Sequence, residues 1–310
     1  KSTNGGESWV QSSNGIQHLA IVYSLAIDPA NPDIIYAATR GENTTGDRPW
    51  KGVVYRSENE GINWNPVLEN VGGSAQQDWA YDLVVNPKNH NQVFVAMHES
   101  GVYRSTNMGL SFSAVNTGLS DHSTRTLAIN PPGSSDAVYT GTWHNTGIYK
   151  STNAGASWSN MYLNIKVYQM DLDNAAPNNL YLVNYLGGVY KSSNAGDSWS
   201  RKAFADQLMY TVAVNQKRHA QVFVGTVGNG IYRSNDSGEN WGHSQNGLDN
   251  TQVTGIQIKP GTPQQYFAST IGGGVSFSLD GGQSWETKQS NLPDKDMLDL
   301  VINPANSNQL

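Results

Sequence analysis

The stretch Ser151-Thr-Asn-Ala-Gly-Ala-Ser-Trp158 decides the fold of this chain, because the same eight-residue pattern occurs seven times. Each copy has Ser first, Asn or Asp third, Gly fifth and an aromatic residue eighth. The other six copies are residues 2–9, 57–64, 105–112, 192–199, 234–241 and 278–285. Successive copies start 55, 48, 46, 41, 42 and 44 residues apart. A period in this range is typical of stacked or radially arranged supersecondary units.

The residues around each copy indicate four short strands. Residues 126–130 form an apolar run that Pro131 ends, and residues 137–142 and 147–151 are rich in strand-forming residues. The eight-residue pattern then makes a tight turn, and residues 157–159 begin a fourth strand. No stretch of the chain has apolar residues at the spacing of a helix. The sequence therefore predicts an all-β, seven-bladed β-propeller of four-stranded antiparallel blades.

The pattern itself has a mechanical interpretation. Ser and Asn or Asp side chains hydrogen-bond nearby backbone groups and hold a turn. The Gly suits a backbone position with positive φ, and the aromatic residue packs as a large apolar plug. A residue needed at seven equivalent places is poorly suited to one asymmetric reaction, so we expect these residues to serve stability only.

These motifs resemble the Asp-box, also called the BNR repeat. The flanking stretch Leu25-Ala-Ile-Asp-Pro-Ala-Asn-Pro-Asp-Ile-Ile-Tyr-Ala-Ala-Thr39 is similar to the propellers of xyloglucanases of glycoside hydrolase family 74 and of sortilin-type receptors. Photosystem II assembly factors resemble the chain as well, as single propellers that act as docking scaffolds. The resemblance covers essentially the whole chain, and it implies that the boxes face away from any active site.

The two ends of the chain are expected to share one blade within a single propeller domain, residues 1–310. Leu310 aligns with Val93 of a complete unit, so residues 298–310 supply the start of a blade and residues 1–10 its end. One explanation is that the sequence is a fragment of a longer chain. The other is an open blade that accepts a strand from a partner by edge pairing.

Composition excludes several classes of function. The chain has 19 basic and 25 acidic residues, a formal net charge of −6, which argues against nucleic acid binding. No apolar run approaches the roughly 18 residues of a membrane span, so we expect no direct membrane insertion. There is no cysteine, and together with 32 Gly, 9 Trp and 15 Tyr this favours an extracellular or periplasmic β-protein. We expect no cofactor and no metal.

Candidate ligand-binding residues lie in loops that interrupt the repeat. In a four-stranded blade, the loops from strand two to three and from strand four to the next blade share one face, opposite the repeated turn. The 40–51 loop is about ten residues longer than its equivalents, and such loops carry function or are surface insertions. Aromatic residues on this face either pack between blades or bind a sugar or protein partner. The candidates are Trp50, Trp79, His98, Trp143, His144 and Tyr185.

Glu99 and Asp121 are weak candidates for acid/base catalysis, because histidines neighbour them in matching loops. No Arg-Ile-Pro motif of a sialidase exists. Xyloglucanases place an acid directly after the second strand, and none of the six residues at that position here is acidic. These residues are Arg40, His98, Trp143, Tyr185, Val227 and Ile271.

Two hypotheses follow. The first is a non-enzymatic, extracytoplasmic binding or scaffolding propeller with a protein or polysaccharide partner and no catalytic residue. The alternative is one lobe of a polysaccharide-active glycoside hydrolase of the xyloglucanase type, whose chemistry requires paired carboxylates.

Overall fold

The chain folds into two compact units, each containing three four-stranded antiparallel sheets. The computed structural model describes residues 1–17, 20–41, 51–69, 71, 78–144, 146–262, 264–288, 290–292 and 294–310, with only the backbone of residue 51. Unit 1 comprises Lys1–Gln11 and Lys166–Leu310, and unit 2 comprises Ser12–Ile165.

In unit 2, each sheet follows chain order, so every connection is between neighbouring antiparallel strands. Its strands are β1 (Ile21–Ile27), β2 (Ile35–Gly41), β3 (Lys51–Ser57), β4 (Asn65–Leu68), β5 (Ala80–Val85), β6 (Val93–Met97), β7 (Gly101–Ser105), β8 (Ser113–Ala114), β9 (Thr124–Ile129), β10 (Val138–Thr142), β11 (Ile148–Ser151) and β12 (Ser159–Asn160).

Unit 1 repeats this arrangement. Its strands are β13 (Val167–Leu172), β14 (Leu180–Asn184), β15 (Val189–Ser192), β16 (Ser200–Ala203), β17 (Met209–Val214), β18 (Val222–Thr226), β19 (Ile231–Ser234), β20 (Gly242–His243), β21 (Val253–Ile258), β22 (Tyr266–Thr270), β23 (Gly274–Ser278) and β24 (Glu286–Lys288).

The architecture is therefore an all-β propeller of four-stranded antiparallel blades, as predicted, but the predicted number of blades is wrong. The described residues form six such sheets rather than seven. Segments 1–10 and 298–310 carry the seventh turn and hydrogen-bond to each other through Ser2 and Leu310, yet they form no strand ladder. A pair of strands requires several consecutive residue pairs joined by backbone hydrogen bonds, and Ser2 with Leu310 supplies one. The single domain and the shared terminal blade stay predictions.

The second strand of each blade supplies the core. Strands β6, β10, β14, β18 and β22 are buried at every residue. Neighbouring sheets of one unit pack through these residues, as in the cluster that joins Tyr36 and Val54 to Leu83 and Val95. Apolar and β-branched residues therefore continue through these strands without polar alternation.

The repeated turn has the same hydrogen bonds in all seven copies. In the copy that begins at Ser151, the Ser151 hydroxyl donates to Asn153 Oδ1 (2.8 Å) and accepts from the Gly155 N–H (2.8 Å). Asn153 Oδ1 also accepts from the Ser157 N–H (2.9 Å). Gly155 has a φ of 81°, so a non-glycine residue would be strained there.

In the turns that end at Trp158 and Trp285, the aromatic residue packs against the preceding blade. Trp158 is 5% exposed, and its indole N–H donates to the Val115 carbonyl of the preceding blade (2.7 Å). Trp285 makes the equivalent bond to Ser244 (2.7 Å). Arg104 donates from the third strand of one blade to the Ala154 carbonyl in the turn of the next (2.6 Å). The turn thus ties neighbouring blades together.

Candidate functional site

The loops that precede the first strand and follow the second strand lie side by side within a blade. The His98 N–H donates to the Trp79 carbonyl (2.9 Å), and the Trp143 N–H donates to the Ser123 carbonyl (2.9 Å). Tyr185 makes the same bond to Lys166 (3.1 Å). These bonds confirm that both kinds of loop lie at the same end of a blade.

Aromatic side chains surround one guanidinium in unit 2, and we call this group the ring cluster. Its members are Tyr23, Trp79, Tyr81, His98, Arg125 and Trp143. The Arg125 Cζ atom lies 3.8 Å from the ring centroid of Tyr81 and 5.7 Å from that of Trp143. A cation at these distances is attracted to the face of an aromatic ring.

The rest of the ring cluster is held by ring-to-ring contacts. The rings of Trp79 and His98 stack with centroids 4.1 Å apart, and Tyr81 meets Trp79 edge-on at 5.9 Å. Tyr23 meets Tyr81 at 5.2 Å. Arg40 places its Cζ 5.5 Å from the Trp79 ring centroid. Several ring faces are therefore already covered by cationic or imidazole groups of the protein itself.

Histidine–carboxylate pairs lie in the same loops. Glu99 Oε1 is 3.2 Å from His98 Nδ1, and Asp121 Oδ1 is 3.3 Å from His144 Nδ1. Asp121 is engaged at both oxygens, because it accepts from the Ser123 N–H (2.9 Å) and from the Thr146 hydroxyl (2.5 Å). Its side chain is only 5% exposed, so this carboxylate is bound inside the protein rather than offered to a substrate.

Burial governs the protonation of the remaining carboxylates. It raises the pKa of Asp78, whose carboxylate accepts from the Glu99 N–H (2.9 Å). It also raises the pKa of Glu99, with Asp78 and Asp121 adding to the shift and His144 opposing it. The Glu99 side chain is 37% exposed. Glu99 is therefore the more accessible of the two catalytic candidates and prefers its protonated form more than a free glutamate does.

The structure separates the predicted ligand-binding residues into two groups. Trp79, His98 and Trp143 belong to the ring cluster of unit 2, and His144 lies beside it on Asp121. Tyr185 lies in unit 1, stacked on Tyr168 with centroids 5.6 Å apart. Trp50 lies outside the described residues, as does most of the 40–51 loop. The ligand-binding role of all six residues stays a prediction.

Sequence reasoning missed the residue at the centre of the ring cluster. Arg125 is the second residue of β9, at the strand position that tyrosines occupy in neighbouring blades. Those tyrosines are Tyr23, Tyr81, Tyr168 and Tyr210. Aligning the first strands of the six sheets would have shown four tyrosines at this position, with Arg125 in β9 and Thr254 in β21 as the exceptions. The arginine at this position was the available signal.

The described part of the chain contains no group of three or more histidine or acidic side chains arranged to hold a metal ion. No helix there combines the length and the apolar character needed to cross a membrane.

Comparisons with known proteins agree on the fold. A family model described as sortilin, neurotensin receptor 3 (Sortilin-Vps10) matches residues 52–185. A xyloglucanase of Hypocrea jecorina is 31% identical over 123 residues, which is 37% of this chain and 15% of that protein. The chain thus spans only a small part of that relative.

Solved structures resemble the chain at low sequence identity. A family 74 glycoside hydrolase of Niastella koreensis has a TM-score of 0.70 at 19% identity, covering 86% of this chain and 46% of that one. The structure of YCF48 bound to D1 peptide has a TM-score of 0.69 at 14% identity, covering 94% of both chains. Similarity at this level of identity shows a shared propeller fold.

Proposed function

We propose that this chain is a non-enzymatic, extracytoplasmic binding or scaffolding propeller that recognises a protein or polysaccharide partner through the loops opposite the repeated turn. The observation that carries the proposal is the ring cluster, where Arg125 lies among the strand residues Tyr23 and Tyr81 and the loop residue Trp143. Aromatic residues and arginine are the side chains that most often dominate binding energy at interfaces.

The carboxylates support recognition over hydrolysis. Glycosidic cleavage needs two carboxyl groups that flank the scissile bond. Asp121 is buried and bound by Ser123, Thr146 and His144. Of the two predicted catalytic carboxylates, Glu99 therefore lacks a second, accessible carboxylate to complete the pair. The structure of YCF48 bound to D1 peptide supports a propeller of this size as a binding protein.

The repeated turns are proposed to be Asp-boxes with a structural role. Their serine and Asn or Asp side chains hydrogen-bond only within the turn in the copy described above, and the aromatic residue binds the preceding blade. The location outside the cytoplasm rests on the cysteine-free, Gly- and Tyr-rich composition.

Binding arrays test the proposal directly. Labelled wild-type protein is applied to a peptide array and to a glycan array, and the strongest ligand is then titrated against variants. Arg125→Leu and Trp143→Ala are each expected to weaken that affinity about tenfold or more, because interface anchors of these residue types contribute over 1 kcal/mol. Leu110→Ala, an exposed change on a repeated turn, is the matched control and should have no effect.

Loss of affinity equal in Leu110→Ala and Arg125→Leu would contradict the proposed surface. The melting temperature of each variant is measured in parallel, so that unfolding is separated from loss of contact. Retained full affinity in both ring-cluster variants would also contradict it.

The alternative is one lobe of a polysaccharide-active glycoside hydrolase. It is favoured by the 31% identity to part of a xyloglucanase and by the raised pKa of the accessible Glu99. Incubation with xyloglucan, β-glucans and sialosides is expected to release no reducing ends. Hydrolysis that Glu99→Gln or Asp121→Asn abolishes would replace the binding proposal with the enzymatic one.

A further inference from the structure

A second kind of turn contacts the tryptophan that ends a repeated turn. In unit 1, the Leu248 N–H donates to the Gln245 carbonyl (3.0 Å), and Gly247 between them has a φ of 82°. Positive φ at the third residue alone is characteristic of a type II turn. The Asn246 carbonyl in this turn accepts from the Trp285 N–H (2.8 Å). The turn is therefore attached to the backbone between β23 and β24.

Two turns in unit 2 make the same contact. The carbonyls of Asn14 and Thr117 accept from the N–H groups of Trp64 and Trp158 (2.8 and 2.9 Å), and glycine follows both residues. A Cβ on the glycine would lie 2.1–2.3 Å from the tryptophan carbonyl oxygen in all three turns. Close approach of the two backbones therefore requires glycine, and an asparagine before it makes an Asn-Gly pair.

An asparagine before glycine is prone to cyclise, because glycine has no side chain to hinder attack by its backbone nitrogen on the asparagine side chain. The sequence contains four such pairs, at residues 4–5, 14–15, 229–230 and 246–247. Hydrogen bonds restrain three of them. The N–H groups of Gly5 and Gly230 each donate to a backbone carbonyl (2.7 and 3.0 Å), and the Asn14 side chain donates to Asn63 (2.5 Å).

The fourth pair, Asn246-Gly247, lacks such a restraint. Both residues are exposed. Within the part of the chain that the structure describes, neither the Asn246 side chain nor the Gly247 N–H takes part in a hydrogen bond. The attacking nitrogen and the side-chain carbon that it attacks are therefore both accessible, in a turn closed by one hydrogen bond.

We propose that Asn246 is a site of spontaneous deamidation and that its isoaspartate product detaches this turn from Trp285. The Gly247 nitrogen gives up its proton and attacks Asn246 Cγ. A bond forms between these two atoms, the Cγ–Nδ2 bond breaks, and Nδ2 leaves with a proton as ammonia. Water then opens the five-membered imide. Addition of water at Cγ gives aspartate, whereas addition at the backbone carbonyl carbon gives isoaspartate.

Isoaspartate changes the main chain as well as the charge. The chain then runs through Cβ and Cγ of residue 246 and is one carbon longer, and the former backbone carbonyl becomes a free carboxylate. That carbonyl is the acceptor for the Trp285 N–H. Trp285 is 5% exposed in the core of unit 1, and its indole N–H donates to Ser244, just before the turn (2.7 Å). The longer chain therefore displaces a group that holds a core tryptophan.

Ageing of the purified protein in mildly alkaline buffer, followed by peptide mass spectrometry, tests the inference. The peptide that contains Asn246 should gain the mass of deamidation before those that contain Asn4, Asn14 or Asn229. Labelling with an isoaspartyl methyltransferase should detect isoaspartate in the same peptide. The aged protein should melt about 2 °C or more below fresh protein, the shift that loss of one backbone hydrogen bond gives in a domain of this size.

Asn246→Thr is the matched control, because Thr117 occupies the equivalent position in a turn of unit 2. This variant should keep its melting temperature through ageing. Freshly purified Asn246→Asp carries the charge of the product without the longer main chain and should melt as fresh wild type does. Three results would overturn the inference: deamidation of Asn4, Asn14 or Asn229 as fast as that of Asn246, isoaspartate at Asn246 with an unchanged melting temperature, or a fresh Asn246→Asp variant that melts as low as the aged protein.

Discussion

Ser2 and Leu310 exchange two backbone hydrogen bonds: the Ser2 N–H donates to the Leu310 carbonyl (2.9 Å), and the Leu310 N–H donates to the Ser2 carbonyl (3.0 Å). Val93 and Ser105 occupy the same register positions in the pair of β6 and β7. Ser2 and Leu310 are therefore paired in the way that Val93 and Ser105 are paired across strands two and three of a blade. This pair supports our proposal that segments 1–10 and 298–310 belong to one blade.

A disulfide between these positions is the first prediction. Reciprocally bonded residues of an antiparallel pair have Cα atoms about 5.5 Å apart, which lies within the range for a disulfide. Ser2→Cys with Leu310→Cys should cross-link on oxidation, with no native cysteine to interfere. The oxidised form should melt at a higher temperature than the reduced form. Its free energy of unfolding should be larger by about 2–4 kcal/mol. Free thiols that persist under oxidising conditions would show that the termini are not paired.

The second prediction separates backbone strain from packing in a repeated turn. Gly281 and Gly282 have φ values of 80° and 81°. A Cβ on Gly282 would meet Ser244 Oγ at 2.9 Å and Phe223 Cε1 at 3.0 Å, whereas a Cβ on Gly281 would meet nothing within 4 Å. Gly281→Ala should cost about 1 kcal/mol from strain alone, and Gly282→Ala about 1–3 kcal/mol more from overpacking.

Chemical denaturation of both alanine variants gives this difference directly. Five other turns already carry a non-glycine residue at the position of Gly281. They are Glu60, Met108, Ala154, Ala195 and Ser237. Equal losses in the two variants would show that strain, not the contact with Phe223, dominates.

The third prediction concerns the aromatic plug. Trp158→Ala should lower the free energy of unfolding by about 3–5 kcal/mol, because a large, buried side chain is removed. Trp158→Phe keeps part of the apolar volume and loses the bond to the Val115 carbonyl, so it should cost less. Ligand affinity measured on the folded variants should not change. A melting temperature unaffected by Trp158→Ala, combined with lost binding, would contradict the structural role.

The strands of a blade could be predicted closely from the sequence. Residues 126–130, 137–142 and 147–151 correspond to β9, β10 and β11 with shifts of one or two residues. Alternation of strand-forming residues and turn residues is a local signal, so it survives without tertiary information. The blade count failed because the sequence counts turns, whereas a blade also needs paired strands, which the terminal segments lack.

The site could be predicted only in part. Trp79, His98 and Trp143 were singled out because they break a repeat. The structure places Trp143 beside Arg125 and joins Trp79 and His98 to the same cluster through Tyr81. Arg125 and Tyr81 were missed because both lie within regular strands. A residue at such a position gives no sign in the neighbouring sequence that its side chain contacts the loops at the end of the blade. Tyr185 was grouped with them from loop position alone, although it belongs to another unit and stacks on Tyr168. Such groupings depend on which blades are neighbours.

The fourth prediction concerns pH. Asp171 in β13 accepts from the Val214 N–H of β17 (2.8 Å) and from the Leu172 N–H (2.8 Å). Burial, aided by Asp173, raises its pKa from 3.8 to about 7, against the opposing effect of these two bonds. Between these two values the folded protein holds a proton that the unfolded chain has released. The contribution of Asp171 to stability must therefore fall as pH rises from about 4 to about 7.

Asp171→Asn removes this titration while keeping an acceptor for one of the two backbone bonds. Melting temperatures of wild type and variant are compared from pH 4 to pH 8, so that titrations common to both proteins cancel. The advantage of wild type over the variant should shrink as pH rises and level off above about pH 7. Asp236→Asn is the matched control, because the pKa of that exposed carboxyl is lowered to about 2 by hydrogen bonds from Asn240 and Ser234. Its difference from wild type should stay constant above about pH 5, where this carboxyl is ionised in both the folded and the unfolded chain. A constant difference for Asp171→Asn as well would show that the carboxyl between β13 and β17 is ionised in the folded protein throughout.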